Sequence, residues 1–250
     1  MTLLNITGLD YYFENIKLHN PSILEIAEKI DNEEDFLFAL KILSTSITKI
    51  FPIKTLPKNV TDFDIVLSLL SNPINDYKSI SKEKLSAMLH LLQLLFFEYS
   101  ISLSNSEILL TKNNDIFILN SKNFPILQKN IYSMFKLDFL FNENMESKDI
   151  YNPASERARE IAEKLKRGRE KVVEINNKSE KNKTGIIENY VIIISVGLNL
   201  NPIEVSKMTF YQILTLFERI KMKIEWDIDL SCRLAGGNPE EHPEHWMSIL

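Results

Sequence analysis

The chain has 250 residues, a formal net charge of −5 and one cysteine, Cys232. That length suffices for a substantial core, and the charge lacks the basic excess a general nucleic-acid or anionic-membrane binder requires. A lone cysteine excludes an intramolecular disulfide and fits a reducing, cytoplasmic setting.

The opening MTLLNITGLDYYFENIK has no basic region followed by an apolar one, so it does not read as a signal peptide. Tyr11-Tyr12-Phe13 and Ile16-Lys17-Leu18, separated by Glu14-Asn15, predict a short hairpin. Asn20-Pro21-Ser22 opens a helix to about Ile30, and a second runs from Glu33 to about Ile50 with Phe36, Leu40, Leu43 and Ile47 on one face. Val60 to Leu70 is a third, with Asp62 and Asp64 in the first turn, where carboxylates suit the helix dipole. Ser81 opens a helix from Lys82 to about Glu98 whose LHLLQLLFFEY is apolar nearly all round, the expected central core helix. Two strand-like runs, Glu107–Thr111 and Asp115–Leu119, flank Lys112-Asn113-Asn114 as a second hairpin. Ser121 to Phe135 is helical, with Pro125 in its first turns. The two hairpins are expected to join in one small antiparallel sheet.

A polar linker, Phe141–Asp149, leads to Asn152–Asn177, a charge-studded helix. Asn152 is a favourable N-cap and Pro153 occupies the first helical position. Ala154, Ala158, Ile161, Leu165, Gly168, Val172 and Ile175 follow the four-three spacing of a heptad seam. The seam is thin: alanines bury little area, and a helical glycine costs about 1 kcal/mol relative to alanine. It suits either a connector that docks on a partner or an ordinary surface helix. Its basic residues are interleaved with Glu156, Glu160, Glu163, Glu170 and Glu174, which argues against a phosphate-binding face.

Beyond a polar stretch to Gly185, Ile186–Gly197 reads as a buried helix, although its β-branched content would also suit a strand. Asn201-Pro202 opens a short helix carrying Ile203 and Val205. Thr209 caps the next, with Phe210, Ile213, Leu214, Phe217, Ile220 and Ile224 at helical spacing; Asp227–Leu234 continues or restarts it, and Gly236-Gly237 ends it. No run approaches the roughly 20 apolar residues needed to span a bilayer, so a soluble protein is expected. The fold class is α+β and predominantly helical, divided into an α+β domain with two hairpins (1–150), a charged connector helix with a polar linker (151–183) and a helical C-terminal domain (184–250).

No catalytic constellation stands out. His242 and His245, beside Glu240, Glu241 and Glu244, have the residue types of a zinc or iron site, yet no third ligand has a recognisable spacing and HExxH is absent. Cys232 has no patterned histidine nearby. Asp227 and Asp229 point to different faces of a helix, and pairing with Arg233 is their ordinary use. P-loop, GxGxxG and GxSxG motifs are missing, and the early aromatics are not interleaved with basic residues as in RNA-binding folds. A non-enzymatic protein without metal or cofactor is expected.

Three stretches, DYYFENIKLHNPSILEI, NPASERAREIAEKLKRGREKV and WDIDLSCRLAGG with the later HWM, resemble phage and prophage proteins of low-GC Gram-positive bacteria known as tail assembly chaperones. LNLNPIEVSKMTFYQILTLFERI is similar to a helix pair of the same proteins. The resemblance implies a protein of the host bacterial cytoplasm that binds the long, helical tape-measure protein and other tail proteins, with self-association as a further expectation. It suggests contact through Ile161, Leu165, Val172, Phe210, Phe217 and Trp246, any of which could instead be internal core, the reading that Phe210 and Phe217 suit better. The large N-terminal region is a departure, since many such chaperones are shorter. Two other readings stand beside it: a structural tail or baseplate component, and a metal-dependent or nucleic-acid-acting phage protein using His242 and His245.

Overall fold

The computed structural model describes residues 3–46, 60–71, 80–104, 106–138, 185–234, 245 and 247. Within them, helices predominate and two small antiparallel sheets complete an α+β fold. Along the chain come α1 (Leu3–Thr7), β1 (Tyr11–Phe13), β2 (Ile16–Leu18), α2 (Ile23–Lys29), α3 (Glu33–Ser44), α4 (Asp62–Ser71) and α5 (Lys82–Leu95). They are followed by β3 (Ser100–Leu103), β4 (Ile108–Lys112), β5 (Asp115–Leu119), α6 (Phe124–Met134), α7 (Ile186–Leu198), α8 (Pro202–Ser206) and α9 (Phe210–Leu234).

Local chemistry sets most boundaries. Ser22 and Glu25 form a reciprocal capping box at α2. The Asn32 side chain accepts from the Glu34 amide at α3, and Ser81 caps α5 through the Lys84 amide. Thr61 with Asp64, and Thr209 with Gln212, repeat the box at α4 and α9. The first hairpin pairs Phe13 with Ile16 across Glu14-Asn15, and Glu14 takes a positive φ of 53° to close the turn. The second pairs Lys112 with Asp115 across Asn113-Asn114, with Asn113 at φ 56°, a conformation asparagine tolerates better than most residues.

The core centres on α5, which buries Leu85, Ala87, Met88, Leu91, Leu92, Leu94 and Leu95. Its closest neighbour is α3, which also packs on α6. Among the described residues, seven phenylalanines become almost fully buried, including Phe13, Phe36, Phe63 and Phe124.

Four expectations need correction. The hairpins do not share a sheet: β1–β2 stand alone, and β3, absent from the sequence reading, pairs with β4 to make a three-stranded sheet in the order β3-β4-β5. The sheets meet through side chains, Phe13 lying edge-on to Phe117 at 5.6 Å. Helix α3 stops at Ser44, where Thr45 turns extended and the Ser44 hydroxyl folds back onto the Leu40 carbonyl; Ile47 lies outside the described residues. Helix α5 ends at Leu95, because Phe96–Glu98 turn the chain into β3. Helix α7 is half exposed rather than buried.

Helices α7–α9 pack on the N-terminal elements. Residues 151–183, the expected connector, lie outside the described residues, but the elements either side of them share one core. Phe210 at the start of α9 lies 5.8 Å from Phe36 and 5.9 Å from Phe135. The Ile23 amide donates to the Met208 carbonyl at 3.0 Å, and Ser22 bridges Thr209. The Gln212 side-chain amide donates to the Ile6 carbonyl at 2.8 Å. Lys136, at a positive φ of 50°, forms a half-buried ion pair with Glu218.

Candidate partner-binding surface

Helix α7 reads IIENYVIIISVGL, apolar on nearly every side. A helix of that composition is stable in water only when neighbours cover most of it. In this fold α8 and α9 cover one side. Ile187, Val191, Ile194 and Ser195 are buried, while Ile186, Ile192, Ile193, Val196 and Leu198 stay exposed, Val196 at 78%. Leu200 and Ile203, just after α7 and on α8, extend this surface.

Helix α9 adds to it. Its first half is buried through Phe210, Tyr211, Ile213 and Leu214. At 100° per residue, Ile224 and Ile228 lie on the same stripe as Phe210 and Phe217. By that point the helix has passed beyond the core, and Ile224 and Ile228 are 52% and 59% exposed. The same apolar stripe thus serves as core in one half of the helix and as surface in the other.

Two glycines let α7 sit where it does. At Gly197 an added Cβ would come within 3.2 Å of Ile220 on α9, so the glycine permits the close helix crossing. At Gly185 a Cβ would run into the Glu33 carboxylate. That carboxylate accepts from the amides of Ile186 at 2.6 Å and Ile187 at 3.0 Å. Glu33 of α3 thereby satisfies two of the unpaired donors at the start of α7 and places negative charge at its positive end. Tyr190, one turn on, packs against Phe217 with ring centroids 4.5 Å apart and planes tilted by 48°. Burial, with the Glu33 carboxylate adding, raises its phenol above the ordinary value.

Between α2–α3 and α7–α8 runs a groove of about 470 Å³. Ile23, Ile26, Ile30, Phe36, Ile187 and Val191 form its buried apolar floor; Ala27, Ile192 and Pro202 its more exposed walls. Asp31, Glu33 and Glu188 are the charged residues lining it.

A polar cluster lies elsewhere, around the first hairpin. His19 Nδ1 is 2.8 Å from Asp10 and Nε2 is 3.2 Å from Glu25. Lys17 pairs with Asp10 at 2.7 Å, and the Asn20 amide donates to it at 2.9 Å. Burial raises the Asp10 carboxyl, but the bonds from Lys17, the Asn20 amide and His19 outweigh it, leaving Asp10 below its ordinary value. Glu25 is likewise lowered: the Ser22 amide and hydroxyl and His19 overcome its burial. The arrangement lacks a nucleophile, because the Ser22 hydroxyl donates to Glu25 and not to His19. Its role is to lock the hairpin against the α2 cap and the end of α5, where the His19 amide donates to the Leu95 carbonyl at 2.8 Å.

The residues expected to touch a partner are distributed unevenly. Ile161, Leu165, Val172 and Trp246 lie outside the described residues. Phe210 is 1% exposed in the aromatic core, so its side chain has no face to offer a partner. Phe217 is partly buried against Tyr190. The larger exposed surface of Ile192, Ile193, Val196 and Ile203 was not anticipated. The available signal was a helix apolar all round in a segment with few other elements to cover it. Of the histidine–carboxylate group, His242, Glu240, Glu241 and Glu244 lie outside the described residues; the His245 ring packs 4.5 Å from Trp226. Among the described residues no group of three or more His, Cys, Asp or Glu could hold a metal ion. Asp229 pairs with Arg233, 2.7 Å from its Nε, in the ordinary i,i+4 manner. No described helix is long and apolar enough to cross a membrane.

Residues 178–250 match the family model described as the YomV second domain, a phage-associated family. No curated protein and no solved structure matches the chain. The match makes this a phage-related protein, and it covers α7–α9, the helices that carry the exposed apolar surface.

Proposed function

We propose that the protein is a tail assembly chaperone of a phage or prophage, a binding protein without catalytic activity. It acts in the host cytoplasm on the tape-measure protein before the tail tube forms. One observation carries the reading: α7 exposes five large apolar side chains, with more on α8 and the outer half of α9, whereas no described helix before α7 exposes more than two. An apolar surface of this kind marks an interaction site. A long helical client exposes apolar stripes until the tube encloses it, and helix-on-helix docking satisfies both surfaces. The resemblance of residues 10–26, 152–172 and 198–220 to tail assembly chaperones supports the same client.

A chaperone leaves its client; a structural tail or baseplate component stays. Purified particles from the phage encoding this chain are therefore expected to lack it, while lysates collected during assembly contain it bound to the tape-measure product. Detection in finished particles at fixed stoichiometry would instead make it a structural tail or baseplate component.

A further inference from the structure

The groove between α2–α3 and α7–α8 has a chemistry more selective than the open face beside it. Its described lining is apolar apart from Ser206 and three charged residues, Asp31, Glu33 and Glu188, all acidic. Among the described residues, no lysine, arginine or histidine lines it. Glu33 is already engaged by the amides of Ile186 and Ile187, which leaves Asp31 on the α2–α3 side and Glu188 on the α7 side as charges available to an occupant.

The groove is held open by ties at both sides. The α2 start is bonded to the turn before α9 through Ile23 and Met208, and the α7 start to α3 through Glu33. Both walls therefore belong to the packed core, and a ligand meets a preformed cleft, which lowers the ordering cost of binding.

We propose that this groove takes one face of an amphipathic helix from another polypeptide, its apolar residues seated on Ile26, Ile30 and Val191. Lysines or arginines flanking that face would reach Asp31 and Glu188. Apolar anchors at i and i+4 fit a cleft between helices, and the one-signed rim selects basic over acidic partners. The proposal rests on the reading of the protein as a binder of helical clients, and it adds where the client docks and what charge it carries.

The test uses the full chain and two synthetic helical peptides of identical apolar stripe, one flanked by lysines and one by glutamates. Fluorescence anisotropy is expected to show binding of the lysine peptide, weakened by added salt, and at least tenfold weaker binding of the glutamate peptide. Ala27→Trp, which fills the groove from an exposed position on α2, is expected to abolish lysine-peptide binding while circular dichroism stays unchanged. The double variant Asp31→Lys with Glu188→Lys should weaken it about tenfold and improve binding of the glutamate peptide. Equal binding of both peptides, binding of neither, or binding undisturbed by Ala27→Trp would overturn the proposal. So would a dimer of the chain that Ala27→Trp dissolves while neither peptide binds, which would give the groove to a second copy. If tape-measure protein copurifies equally with wild type and Ala27→Trp, the groove proposal fails and the chaperone reading stands. If the lysine peptide binds but tape-measure protein does not copurify, the reverse holds.

Discussion

Helices α5 and α7 are both rich in aliphatic residues, and the fold treats them in opposite ways. Helix α5 has α3 along one side and α2 and α4 on others, and it buries seven side chains. Helix α7 has α9 and α8 on one side and buries Ile187, Val191, Ile194 and Ser195, leaving five large apolar residues in contact with water. Composition sets how much a helix needs covering; the number of neighbouring elements sets how much is covered. The surplus on α7 is the surface available to a partner.

The sharpest way to break this contrast is to remove a residue that joins the two regions. Phe210 contacts Phe36 and Phe135 at the centre of the shared core. Phe210→Ala is expected to cost about 3–5 kcal/mol in urea unfolding. A loss below about 1 kcal/mol would mean that α7–α9 are only loosely attached.

Acid should act next, through the first hairpin. Asp10 and Glu25 both sit below their ordinary values in the folded protein. The unfolded chain therefore binds more protons in the acid range, so their contribution is complete only above about pH 5 and is lost as pH falls from there through the lower folded values. Asp10→Asn should flatten the acid side of the stability profile; an unchanged slope would show that the cluster adds nothing to it.

A smaller effect is expected at the tie between the regions. Glu33→Ala removes the acceptor for the first amides of α7 and should cost about 1 kcal/mol. Hydrogen exchange should accelerate in residues 186–191 and leave α5 unchanged. Equal acceleration in both would place the tie inside a single cooperative unit.

The smallest effect on stability belongs to the exposed face itself. Val196→Ser removes an apolar group that contacts mostly solvent, so unfolding free energy should change by less than about 0.5 kcal/mol. A larger loss would show that Val196 is covered in solution by the chain itself or by a second copy.

Much of the fold was legible in sequence because its signals are local. The hairpins at Glu14-Asn15 and Asn113-Asn114, and the caps at Ser22, Ser81 and Thr209, depend on residues within four positions of each other. Strand β3 was not legible: Ser100-Ile-Ser-Leu carries too little strand character by itself and is fixed by pairing with β4. The ends of α3 and α5 were overrun because apolar periodicity continues past the points where tertiary turns intervene. The surface was half legible. Phe210 and Phe217 share a stripe with Ile224 and Ile228, and periodicity cannot tell where along α9 the core stops. Only the packing of α7 and α9 locates that point, near Ile220.

Coexpression with the tape-measure protein from the same phage tests most directly whether the exposed face of α7–α9 binds it. The wild-type chain is expected to copurify with the tape-measure product and keep it in solution, whereas Val196→Asp with Ile228→Asp, at two exposed positions, loses the complex while remaining folded. A tape-measure protein that stays soluble without this chain, or a complex indifferent to both substitutions, would contradict it.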